Sequence, residues 1–166
     1  MWEIIVGIGV GPLRFGMSPD QVAALPEMGP PDRARSAPGG GLIERRGPAK
    51  PVVSYRDAHL IDIDMEDVLP VRLGTLDVFT TDARAVMAAL FEANGGAALA
   101  GFGYIFFDRL GLNTEGFFDM GTGLFHDPQR EDNGRRGMAA IAPAEIAGMA
   151  EGMKPVTMSA DGIVLA

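Results

Sequence analysis

The sequence contains no cysteine, which excludes disulfide scaffolding, thiolate metal ligation and cysteine nucleophiles together. Histidine is nearly missing: His59 and His126 are the whole supply, too few for a zinc ligand set without cysteine. No run approaches the roughly 18 apolar residues of a membrane-spanning helix. The opening "MWEIIVGIGVGPLR" carries Glu3 and no early Lys or Arg, so it lacks the basic start of a secretory signal. The expected location is cytoplasmic, with no membrane partner. Clustered Lys and Arg are also lacking, which argues against nucleic acid as a partner.

What is present is a chain of 166 residues, 47% hydrophobic, enough for one compact domain over 1–166 with a real core. Net charge is −8, concentrated in the middle of the chain. Residues 51–70 hold one basic side chain against five acidic ones, and residues 71–127 hold three against seven. Such acidity suits a basic protein partner, or serves solubility alone.

Local signals predict an α+β protein, an antiparallel sheet or sheets packed against two or three helices. Ser18, Pro19 and Gln21 form a capping-box start for a short helix that Pro26 ends. From Pro26 to Pro51 the chain reads as a long Pro/Gly-rich loop, interrupted by a short strand near Leu42–Arg45. Strands are expected at 52–56 and 59–65 around a turn at Asp57-Ala58, and at 71–79 with a bulge at Gly74. Thr81 is the expected cap of the clearest helix, 82–94, stopped by Gly95-Gly96. Strands at 102–107 and 115–120 are expected to pair. A polar loop over 126–137 leads to "MAAIA", a helix opened by Pro143, and a closing hairpin of 156–158 with 163–165. A weak twofold pattern is visible, each longer helix followed by a strand meander, without a residue-level repeat.

Several motifs come close to known chemistry and fall short. Gly11 to Ser18 has the glycine spacing of a phosphate-binding loop, but Met17 stands where the lysine belongs. A dinucleotide fingerprint starting at Gly7 meets Pro12 at its third glycine. Helix entry is therefore the better reading of this stretch, and no cofactor is expected. In "LIDIDMED", strict alternation would put Leu60, Asp62, Asp64 and Glu66 on one strand face and Ile61, Ile63 and Met65 on the other. Paired Asp62 and Asp64 could hold Mg²⁺ or Mn²⁺ in a phosphoryl- or nucleotide-processing enzyme, or belong to a solvated outer face. The pair is similar to the Asp-x-Asp strand of nucleotidyltransferases, although Gly39–Gly41 lie too far upstream. A calcium loop fails, with Asp67 at the glycine position and Leu73 at the final glutamate. His126-Asp127 has the form of a metal phosphohydrolase dipeptide without the further histidines, and no serine sits in a nucleophile elbow. No catalytic residue is assigned.

The remaining reading is a binding surface. "FGYIFFDRLGL" and "GFFDMGTGLF" place aromatics in strands beside acids, either as sheet core or as anchors. The candidate binding residues are Asp57, Asp62, Asp64, Glu66, Asp67, Tyr104, Phe106, Asp108, Phe118 and Asp119. The segment "GVGPLRFGMSPDQVAAL" resembles the opening of small bacterial α+β proteins in which a G-x-G-P turn and a G-M-S/T element lead into a helix. This is the SmpA/OmlA and β-lactamase-inhibitor-protein class, with immunity proteins of polymorphic toxin systems. The resemblance implies a soluble inhibitor or immunity role and carries no catalytic residues.

Overall fold

The computed structural model describes residues 1–129 and 134–166; residues 130–133, within the expected polar loop, lie outside the described residues. In chain order the strands are β1 (Trp2–Ile5), β2 (Gly9–Val10), β3 (Leu13–Arg14), β4 (Arg33–Ala37), β5 (Gly41–Arg45), β6 (Val52–Arg56), β7 (His59–Glu66), β8 (Val71–Leu73), β9 (Leu76–Asp77), β10 (Ala97–Gly101), β11 (Tyr104–Phe107), β12 (Leu112–Glu115), β13 (Phe118–Asp119), β14 (Leu124–Phe125), β15 (Gly137–Ile141), β16 (Lys154–Ser159) and β17 (Gly162–Leu165). The helices are α1 (Pro19–Ala23), α2 (Ala83–Ala93) and, after a 3₁₀ turn at Pro143–Glu145, α3 (Ile146–Ala150). With 42% strand and 15% helix, this is a sheet-rich α+β fold.

The glycine-rich opening is spent on backbone packing. β2 pairs antiparallel with both β1 and β3. A Cβ on Gly9 would lie 2.0 Å from the Leu13 carbonyl oxygen, so no other residue allows these strands to approach so closely. The amides that a phosphate cradle would need are already committed: Gly11 donates to Glu3, Phe15 to Ile8, Gly16 to Leu60 and Met17 to Arg14. The Arg14 guanidinium turns back onto the Gly11 and Leu13 carbonyls. The stretch then enters α1 through the expected capping box, Ser18 with Gln21. β1 also pairs in parallel with β8, which forms a tight hairpin with β9. Gly74, expected as a bulge, lies in that hairpin's turn with φ +58°, a left-handed conformation favouring glycine.

Among the described residues, ten strands form one antiparallel sheet in the order β17-β16-β10-β11-β12-β15-β7-β6-β5-β4. Two consecutive meanders, β4 to β7 after α1 and β10 to β12 after α2, meet edge to edge through β15. The 26–51 stretch, which reads as a loop, holds the β4–β5 hairpin, turned through Gly39 and Gly40 at positive φ. Tertiary bonds tie it down. Arg46 pairs with Glu44 at 2.6 Å in a buried contact, Tyr55 donates to the same carboxylate, and Arg46 Nε donates to the Gly29 carbonyl. The 115–120 expectation also shifts: β11 pairs with β12, while Phe118–Asp119 forms a separate ribbon with β14.

One face of the sheet carries the core. Val53, Tyr55, Leu60, Ile63, Met65, Ile105, Phe107, Leu112, Met138, Ala140 and Val156 are all buried in one cluster with the helix residues Val86, Met87, Leu90 and Phe91. Asp82, one residue past the expected Thr81, caps α2 by accepting from the Ala85 amide. No helix among the described residues is long and apolar enough to cross a membrane.

Candidate functional site

The site lies on the opposite, outer face, where the two meanders meet. β7 sets it up through a register shift. Ser54 faces Asp62, but Tyr55 faces Leu60, so Ile61 is an extra residue, a β-bulge. The bulge turns Leu60 into the core with Ile63 and Met65 and leaves Asp62, Asp64 and Glu66 outside. Strict alternation had placed Leu60 with the acids; the inserted residue reverses its face.

The next strand, β15, presents Gly137 and Ala139 to this outer face. In register, Asp64 lies across from Ala139, and Ala139 across from Asn113. One row further, Glu66, Gly137 and Glu115 align, and β11 brings Tyr104 to the end of that row. Two small residues thus form a trough between acids on β7 and polar residues on β12. The 143–150 segment covers the neighbouring part of the face, where Ile146 and Met149 pack on Phe106, Ala139 and Ile141. An ion pair between Arg56 and Glu145 ties that segment down. What stays open is a slot of about 220 Å³ lined by Asp62, Asp64, Tyr104, Asn113, Glu115 and Met149, with Gly137 and Met138 at its floor. It continues past Tyr104 and Glu115 into a wider groove of about 840 Å³.

The slot is short of positive charge. Asp62 Oδ1 is buried with no hydrogen-bond partner. Burial, and then the Asp64 carboxylate, push the Asp62 pKa well above the ordinary range. Asp64 is surrounded by protein although water reaches it, and desolvation followed by repulsion from Glu115 raises it to about 6. Arg45 pulls it down and Glu66 up. Tyr104 is raised by burial and then by Glu115, Asp64 and Asp62. Among the described residues no cation forms an ion pair with Asp62, Asp64 or Glu115, whereas Glu66 is met by Arg135 at 3.3 Å and Arg45 at 3.8 Å. Carboxylates raised by burial and by one another in a cleft make the slot the candidate functional site.

Phe118 and Asp119 line the adjoining groove together with Glu66 and Tyr104; the other candidates lie apart from it. Asp57 sits in the β6–β7 turn at φ +49°. Asp67 accepts from the Arg136 amide, Asp108 from the Asn94 side-chain amide, and Asp119 from the Gly121 and Thr122 amides. Phe106 is fully buried beneath the 143–153 segment, and Phe118 packs against Phe125, so of the expected aromatic anchors Tyr104 is the one open to the slot. Sequence reasoning missed Glu115, Asn113 and Met149. The alternation in "LNTE" was the available signal for the first two. Among the described residues no group of three or more His, Asp or Glu is placed to hold a metal ion. No family model, curated protein or solved structure matches this chain.

Proposed function

We propose that the protein is a non-enzymatic binding module that captures a basic protein partner, as an immunity or inhibitor protein does. One observation carries this reading: Asp62, Asp64 and Glu115 converge in an open slot with no ion-paired cation among the described residues, and one of Asp62's oxygens is buried without a partner there. A folded protein that keeps uncompensated carboxylates in a cleft gives up stability there. A cation delivered by a partner compensates them. The adjoining groove supplies room for the partner's backbone. The resemblance of residues 7–25 to the opening of the inhibitor class is a second support for the reading.

The test is affinity capture from the source cells at low and high salt, with wild type beside a variant carrying Asp62→Asn, Asp64→Asn and Glu115→Gln. A stoichiometric basic protein held by wild type, released by salt and lost by the variant supports the reading. A partner retained equally by the variant removes the slot from the interface.

A further inference from the structure

Resting on that partner-binding reading, we propose that the slot is a receptor for a single guanidinium group, the side chain of one arginine on the partner. The geometry is that of a trough with two polar walls. Cross-strand neighbours on one sheet face have Cβ atoms about 5 Å apart, so walls separated by one strand stand about 10 Å apart. Gly137 keeps the floor low between them, and Ala139 continues it beneath Met149. Asp62 and Asp64 form one wall, Asn113 and Glu115 the other, with Tyr104 at the end and Met149 above. A planar fork with five donors can bond carboxylates on both walls at once, and its face can lie on the Tyr104 ring. An ammonium is a point charge that serves fewer acceptors.

The unpartnered Asp62 Oδ1 is an independent sign of a missing donor. The Asn113 carbonyl oxygen is already occupied by the Ala139 amide, so the carboxylates remain the free acceptors. The neighbouring acid on the same strand, Glu66, shows how exposed carboxylates here are normally satisfied, by Arg45 and Arg135. The slot lacks that and is shaped to receive it from outside.

Loading of such a receptor depends on pH. The charged and titratable groups facing Asp64 are Glu115 on β12, Arg45 on β5, Asp62 and Glu66 on β7 and Tyr104 on β11. Lys50 borders Asp64 on its other side, with its ammonium on the Met28 carbonyl. β15 and α3 contribute no charge to the slot. Acid protonates Asp64, whose pKa lies near 6, and removes the charge a guanidinium binds.

The experiment is an NMR titration of the full chain with N-acetyl-argininamide, N-acetyl-lysinamide and Mg²⁺ at constant ionic strength. The expected result is saturable shifts at Asp62, Asp64, Tyr104 and Glu115 with the arginine probe. Affinity should fall about tenfold, equivalent to 1.4 kcal/mol, in Asp64→Asn and in Glu115→Gln. It should fall similarly between about pH 7.5 and about pH 5. Both variants are conservative and exposed, and their unchanged spectra away from the slot verify the fold. Shifts that never saturate, that persist in both variants, or that lysinamide or Mg²⁺ produce equally well overturn the receptor. The two proposals fail separately. A captured partner that depends on these carboxylates, with no arginine saturation, sinks the receptor alone. Saturation by the arginine probe with no partner recovered sinks the partner reading alone.

Discussion

β7, β15, β12 and β11 present two faces built from the same backbone and the same alternation. The inner face holds Ile63, Met65, Met138, Ala140, Leu112, Ile105 and Phe107, all buried in the core that also takes Val86, Met87, Leu90 and Phe91 of α2. The outer face holds Asp62, Asp64, Gly137, Ala139, Asn113, Glu115 and Tyr104, half covered and half open. Each inner residue removes apolar area from water, worth about 1.5–3 kcal/mol for a fully buried large side chain. The outer acids do the reverse, holding charge where solvation is reduced and one acceptor is orphaned. A face that gives up stability beside one that accumulates it is the pattern expected of a scaffold and its site.

Substitutions on each face should separate the two roles. The largest effect belongs inside: Phe107→Ala, which removes a ring packed edge-on against Phe91 at 5.2 Å, should lower unfolding stability by about 3–5 kcal/mol in urea titration. Loss of less than about 1 kcal/mol would mean that the core repacks around the gap. On the outer face the sign should reverse. Asp62→Leu replaces an orphaned buried carboxylate with an apolar side chain and should raise stability by about 1–3 kcal/mol at neutral pH, while weakening partner capture. A destabilised Asp62→Leu would break the contrast between the faces.

The pH dependence should be a smaller effect, because water reaches Asp64. Its folded pKa of about 6 lies above the unfolded 3.8, so the folded state takes up the proton more readily. The resulting stabilisation is complete below the unfolded value and is lost as pH rises through the folded one. Wild type should therefore gain urea resistance on acidification from about pH 7 to about pH 5, and Asp64→Asn should gain less. Equal slopes would remove Asp64 as the titrating group. The smallest effect lies in the turn that leads into β7. Ala58 has φ +60°, and Ala58→Gly should add about 0.5–1 kcal/mol by relieving that strain. No gain would show that the turn is held by contacts instead of limited by its own backbone.

Much of the fold was legible because its signals are local. The capping box at Ser18 and Gln21, the Gly95-Gly96 stop after α2, the Asp57-Ala58 turn and the closing hairpin all depend on neighbours a few residues apart. Pro38-Gly39-Gly40 misled, because turn residues inside a hairpin and residues of a long loop have the same composition. Leu60 misled for a different reason: the bulge at Ile61 reverses the strand's faces, and no residue type announces it. Phe106 read as a strand aromatic of either role, and the 143–153 segment that covers it is distant in sequence.

By itself the sequence determined the alternation that makes β7 half core and half acid, the helix starts and stops, the central acidity and the failure of the opening glycines to match a nucleotide loop. These follow from side-chain period and from backbone preferences, which act over a few residues. The tertiary structure alone decided that β15 would insert between β7 and β12, bringing Asn113 opposite Asp64 across Ala139 and Glu115 opposite Glu66 across Gly137, and that the 143–150 segment would cover the neighbouring part of that face. Which strand lies beside which is settled by the joint burial of both meanders in one core, a long-range balance that no single segment encodes.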